Sequence, residues 1–202
     1  MELNREVLAG LKKEYGDAFY LLDSEQFRSN FLELKECFSS IYPNFNIAYS
    51  YKTNYIPKLC KIVNELGGYA EVVSEMEMEL ALRVGVVPKR IIWNGPIKNP
   101  DKVEEFLLKG GTINIDSIEE LPVIRKVAEK YQNEVLNIGI RCNYDIEDGV
   151  RSRFGFDIDS EDYNRVINFV NEYDNLNLIN FQCHFAKRQI EYWPARAKGM
   201  IA

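Results

Sequence analysis

Ile47-Ala48-Tyr49-Ser50-Tyr51 and Tyr69-Ala70-Glu71-Val72-Val73 are two short, β-rich apolar runs. Between them, Asn54 to Leu66 carries Leu59, Ile62, Val63 and Leu66 at helical spacing, and Gly67-Gly68 supplies the stop. This strand–helix–strand unit recurs along the chain. Runs starting at 47, 69, 91 (Ile91-Ile92-Trp93) and 113 (Ile113-Asn114-Ile115) stand 22 residues apart. The next begins 24 residues on at Asn137 and the sixth 42 residues later, as Ile179-Asn180-Phe181-Gln182-Cys183-His184. No sequence repeat accompanies the spacing, so the period is structural.

The intervals carry helix-end signals. Ser74-Glu75-Met76-Glu77 is a capping-box pattern before a helix that closes at Gly85. Asn99-Pro100 sets an N-cap before a proline at the first helical position, and Gly110-Gly111 ends that helix. Ser117-Ile118-Glu119-Glu120 is a second capping box, and the long last interval holds a polar loop, 143–159, then a helix from Ser160 to Tyr173. Upstream, Asp23-Ser24 caps a helix to Ser40, and Phe19-Tyr20-Leu21-Leu22 is a short strand candidate. Alternating strands and helices with short connections give an α/β fold with a parallel sheet, either open and doubly wound or closed as a (β/α)8 TIM barrel. No G-x-G-x-x-G follows the first strand, and the even spacing favours the barrel. Six strands of eight make it an incomplete barrel. The expected organisation is a strand/helix lead-in over 1–45 and a partial barrel over 46–202.

Composition narrows the function classes. Of 202 residues, 25 are Lys or Arg and 31 Asp or Glu, a net charge of −6 with no basic block. That argues against nucleic acid and against an anionic membrane surface. The single histidine, His184, excludes a metal centre of several imidazoles within this chain. Cys37, Cys60, Cys142 and Cys183 are widely spaced, which fits a reducing, cytoplasmic setting better than a disulfide or zinc scaffold. The charged start and the lack of an apolar run of about 18 residues predict neither a signal peptide nor a membrane span.

Every predicted strand ends in a polar group: Lys52, Glu71 with Ser74, Asn94, Asp116 with Ser117, Arg141 with Asn143, and His184. The carboxyl rim of a parallel sheet is where α/β folds build active sites. Each residue also has an ordinary role. Lys52 suits a solvated rim, although desolvation between Tyr49 and Tyr51 would turn its amine into a nucleophile. His184 suits a packed or surface ring, Glu77 the capping box, Arg141 an ion pair, and Asp116 and Ser117 a cap or turn. Glu71, inside an apolar strand, is harder to explain, since burying an unpaired carboxylate is costly.

Tyr49-Ser50-Tyr51-Lys52-Thr53-Asn54 resembles the Y-x-x-K-x-N motif of pyridoxal-phosphate-dependent decarboxylases with an alanine-racemase-type barrel: the diaminopimelate, ornithine and arginine decarboxylases. The resemblance continues through Gly68–Ser74, Asn94-Gly95-Pro96-Ile97-Lys98, Ile115-Asp116-Ser117 with Glu120-Leu121, Ile140–Asn143, Ser152-Arg153-Phe154-Gly155 and Cys183-His184. The order and spacing of these motifs over about residues 19–190 are most similar to diaminopimelate-decarboxylase-like members. The resemblance implies that Lys52 forms the Schiff base with pyridoxal 5'-phosphate and that His184 stacks on its ring. It places Glu71 and Glu77 as acidic groups near the cofactor and Arg141 as their support, with Arg153 reaching its phenolic side. Lys187 stands where the family carries a phosphate-holding serine, so Lys187 and Arg188 would attract phosphate as charges.

The implied reaction is decarboxylation of an amino-acid substrate, with the cofactor as electron sink. An amino-acid racemase on the same barrel, and a truncated cofactor- or partner-binding fragment, are the alternatives. The family's glycine-rich phosphate loop, last barrel strands and β-rich second domain have no counterpart before Ala202. The expectation is the N-terminal portion of an enzyme that is homodimeric when complete. Alone it should be poorly active, or it should work with a complementary C-terminal half.

Overall fold

Several helix starts in this chain are set by side chains that cap free N–H groups. The structure, a computed structural model, describes residues 4–146, 150, 152–185 and 189–201. The chain divides into two compact units, 1–46 and 47–202. In the first, α1 (Arg5–Tyr15) is capped by Asn4, whose Oδ1 accepts from Val7 N at 2.9 Å. Asp23 caps α2 (Ser24–Ser39) through Gln26 N at 3.0 Å. Phe19–Leu22, expected as a strand, pairs with none among the described residues, and Tyr20 is fully exposed. β-propensity describes fit to a half-buried pleated surface, and this segment has no such neighbour.

The second unit alternates as the spacing predicts. Its elements are β1 (Ala48–Ser50), α3 (Pro57–Glu65), β2 (Tyr69–Val72), α4 (Glu75–Arg83), β3 (Ile91–Trp93), α5 (Pro100–Leu108) and β4 (Thr112–Ile115). They continue as α6 (Leu121–Lys130), β5 (Leu136–Asn143), β6 (Phe156–Asp157), α7 (Glu161–Asn171), β7 (Leu176–Cys183) and α8 (Trp193–Ile201). All pairings are parallel, in the order β1-β2-β3-β4-β5-β7, with two-residue β6 beside the far end of β5. The sheet is open, since β1 and β7 do not pair with each other among the described residues.

Two boundaries differ from expectation. Helix α3 begins at Pro57 rather than at Asn54, because proline holds Ile56 extended (ψ 120°) while Asn54 Oδ1 accepts from Ile56 N in a tight turn. Strand β6 lies inside the expected polar loop; two residues are too few to carry a periodic signal.

The core lies between sheet and helices. Trp93, Ile113, Ile115, Ile138 and Ile140 are completely buried, as is Leu107 from α5. Each such side chain contributes about 1.5–3 kcal/mol by leaving water. Trp93 meets Phe106 edge-on at 5.6 Å between ring centroids. These apolar residues pack the strands against their helices and leave the carboxyl ends free for polar groups.

Candidate active site

Lys52, Glu71, Asn94, Asn114 and His184 line one cavity of about 480 Å³. They come from the ends or interiors of β1, β2, β3, β4 and β7, so the curl of the sheet converts a series of strand ends into one site. Lys52 follows β1 in a turn closed by Thr53, whose Oγ1 donates to Ser50 O at 2.7 Å. Its side chain is exposed, whereas Tyr51 is buried in the core and meets Tyr49 edge-on. The two tyrosines therefore do not enclose the ammonium. A free, accessible amine at the cavity wall is what this placement provides.

His184 lies just past β7 and remains accessible. Partial desolvation, then the nearby Lys52 and Arg141 cations, hold its imidazole below the usual 6.5, against an opposing pull from Glu71. At neutral pH the ring is uncharged. Glu71, half-buried in β2, accepts at Oε1 from Asn94 Nδ2 at 3.1 Å. Asn94 in turn accepts at Oδ1 from Asn114 Nδ2 at 3.1 Å.

Glu77 is not on the cavity wall. It is buried at the start of α4, where its Oε2 accepts from Val73 N at 2.8 Å and its own N–H donates to Ser74 Oγ. Its position three residues into the helix suits a cap, and one of its carboxylate oxygens is used there. Arg153 is exposed, with its guanidinium 4.8 Å from the Phe154 ring centroid and off the cavity wall. Lys187 lies outside the described residues.

Arg141 sits behind the cavity in a buried ion pair, its Nη1 donating to Asp116 Oδ1 at 2.7 Å and its guanidinium packed 4.7 Å from the Phe154 ring. A second pair adjoins it. Lys98 Nζ, almost fully buried, donates to Gly95 O, Asn114 O and Glu120 Oε1 at 2.6–2.7 Å. Glu120 Oε2 accepts from Asp116 N and Ser117 N, closing the second capping box. Burial pushes Lys98 down and Glu120 up, while their mutual attraction opposes both shifts. With three acceptors on Nζ and two N–H groups on the carboxylate, the geometry fits the charged pair. Sequence reasoning quoted Lys98, Glu120 and Asn114 within motifs and strands but gave none of them a place in the site. The signal was present for two of them: Asn114 is a polar residue in the otherwise apolar Ile113-Asn114-Ile115, and Glu120 holds the third position of a capping box.

The residues suit a pyridoxal-type cofactor. An accessible lysine amine, an uncharged imidazole and a carboxylate share a cavity within the size range of small-molecule sites. Ser50 Oγ and Gln182 Oε1, on strands that line it, are buried without a hydrogen-bond partner, which leaves polar capacity for a ligand.

A family model described as "Pyridoxal-dependent decarboxylase, pyridoxal binding domain" matches residues 25–191. The chain belongs to this family. It is 28% identical to diaminopimelate decarboxylase of Aquifex aeolicus, covering 94% of this chain and 46% of the relative. Diaminopimelate decarboxylase of Methanocaldococcus jannaschii, solved in co-complex with L-lysine, superposes with a TM-score of 0.77 at 26% identity, over 90% of this chain and 45% of that one. The Helicobacter pylori enzyme complexed with L-lysine shares the fold, with a TM-score of 0.79 at 23% identity over 95% and 51%. The chain spans about half the length of the curated relatives it matches. These neighbours carry the alanine-racemase-type barrel, and the open seven-stranded sheet is part of it. Pyridoxal phosphate is the cofactor of this domain family.

Proposed function

We propose that this chain forms the cofactor side of a diaminopimelate-decarboxylase-like carboxy-lyase, with Lys52 as the residue that holds pyridoxal phosphate covalently. The observation that carries this reading is the convergence of Lys52, Glu71 and His184 from three different strands on one cavity. When bound, the cofactor supplies an electron sink that allows carbon dioxide to leave the α-carbon of an amino acid.

The chain's own groups divide the remaining work. Lys52 Nζ, exposed at the cavity wall, anchors the cofactor and can return a proton to the α-carbon. His184 presents a neutral imidazole face, an uncharged state favoured by partial desolvation and then by the Lys52 and Arg141 cations. Glu71 places a negative charge in the cavity, oriented by Asn94. Arg141 acts from behind the wall, where Asp116 fixes its guanidinium. An amino-acid substrate suits the reading, because L-lysine is the molecule bound in two of the solved relatives. All the curated relatives named above are decarboxylases, which favours carbon dioxide release over enantiomer exchange.

The active assembly in this proposal is a cytoplasmic homodimer completed by the remaining barrel strands. Support comes from four free thiols and from the open β7 edge, with Ile179 and Phe181 exposed. No helix among the described residues is long and apolar enough to cross a membrane. Titration of the chain with pyridoxal phosphate tests the reading. A new visible absorbance band should form with wild type and be absent in Lys52→Ala. A band of equal strength in both would contradict it.

A further inference from the structure

Three asparagines stand on the cavity side of a sheet whose other face is packed with isoleucine. Asn94 ends β3, Asn114 lies in β4, and Asn180 lies in β7. Asn114 and Asn180 are in register with the same residue of the intervening β5, Gly139. A Cβ at Gly139 would sit 2.0 Å from Asn114 Oδ1 and 2.3 Å from Asn180 Oδ1. The missing side chain is therefore what leaves room for both carboxamide oxygens over β5. From there the bonds run one way: Asn114 Nδ2 donates to Asn94 Oδ1, and Asn94 Nδ2 donates to Glu71 Oε1, each at 3.1 Å.

Packing alone does not call for this row. Asn114 is 1% exposed and Asn94 5%, and buried carboxamides are costly where apolar residues would fit. Among the described residues Asn114 Oδ1 and Asn180 Oδ1 both lack a partner, although both lie close to the point a Gly139 Cβ would occupy. Exchanging the oxygen and nitrogen of the Asn180 carboxamide would turn a donor toward Asn114 Oδ1, at the head of a row of donors aimed at the carboxylate. The final bond is charge-assisted, and successive bonds in such a row polarise one another.

We infer that Asn114 and Asn180 are positioning residues that act on Glu71 through Asn94, a carboxamide relay seated over Gly139 that fixes the Glu71 carboxylate toward the cofactor. The inference rests on the cofactor reading above. Neither residue is a catalytic group; each sets the direction of one that faces the cavity. A relay of this kind has a non-additive signature, because its effect passes through a single residue.

The test is a double-mutant cycle read by pyridoxal phosphate affinity, with Asn114→Ala, Asn180→Ala and Glu71→Ala and their pairs. Asn180→Ala, on a half-buried edge position, keeps the test open where Asn114→Ala fails to fold. Each asparagine variant should weaken affinity roughly three- to tenfold with Glu71 present and leave it unchanged in the Glu71→Ala background. Losses of equal size in both backgrounds, or no loss at all, would overturn the relay. If wild type does not bind the cofactor, the cofactor reading fails, and the relay is judged in the free protein by NMR of the Asn94 side-chain amide. Faster solvent exchange of that amide in Asn114→Ala or Asn180→Ala supports the relay, and unchanged exchange overturns it.

Discussion

Lys52 and Lys98 show how placement separates two lysines of identical chemistry. Lys52 ends a strand in the open cavity, whereas Lys98 is buried and saturated by three acceptors. Lys98→Ala leaves Glu120 buried without its partner and should cost about 3–5 kcal/mol in urea unfolding. Lys52→Ala, exposed and outside the core, should change stability by less than about 0.5 kcal/mol. His184 adds a pH dependence. Its pKa is lowered in the folded chain, so between that value and 6.5 the unfolded chain binds more protons. Stability should therefore fall as pH drops below about 6.5, and His184→Gln should flatten this part of a thermal unfolding profile. The charged groups that act on the ring are Lys52, Arg141, Glu71 and Arg196, and of these only the carboxylate favours protonation. The positions of Lys52, Glu71 and His184 were legible in sequence because each ends or interrupts a strand, while their roles were implied by the Y-x-x-K-x-N resemblance. The partners of Arg141 and Lys98 were not, since a single sequence does not say which side chains meet across strands.

At the level of elements, capping chemistry was the most readable signal. Ser74, Asn99, Ser117 and Ser160 all stand where helical segments begin. The same chemistry engages Glu77, whose Oε2 accepts from the Val73 N–H at the start of α4. Glu77→Ala should lower stability by about 1–3 kcal/mol and leave the pyridoxal phosphate affinity of the folded protein close to wild type. A large affinity loss at unchanged stability would return Glu77 to the site. Glu77→Gln, which keeps an acceptor, should recover most of the stability. What sequence did not reveal were short or context-dependent pieces: β6 has two residues, and Phe19–Leu22 has strand-like composition with no ladder partner.

Across the whole molecule, the 22-residue period translated directly into parallel βα units, and the polar residues Glu71, Asn114 and Asn180 that interrupt the apolar runs are on the cavity side of the sheet. Ile140→Ala, in the most extensively paired strand, should cost about 2–5 kcal/mol because the site is fully enclosed. The sheet's curl brings β1 and β7 to the walls of one cavity while their edges remain unpaired with each other among the described residues. Exposed Ile179 and Phe181 on β7 make that edge the expected route of self-association, and Ile179→Lys should reduce it in sedimentation velocity at high concentration. The central claim, that strand ends converge to make Lys52 the cofactor-bearing amine, is tested most directly by borohydride reduction in the presence of pyridoxal phosphate, followed by peptide mass mapping. The predicted result is a phosphopyridoxyl adduct on the Lys52 peptide, with Lys98 unmodified. An adduct on other lysines with Lys52 free would contradict the account.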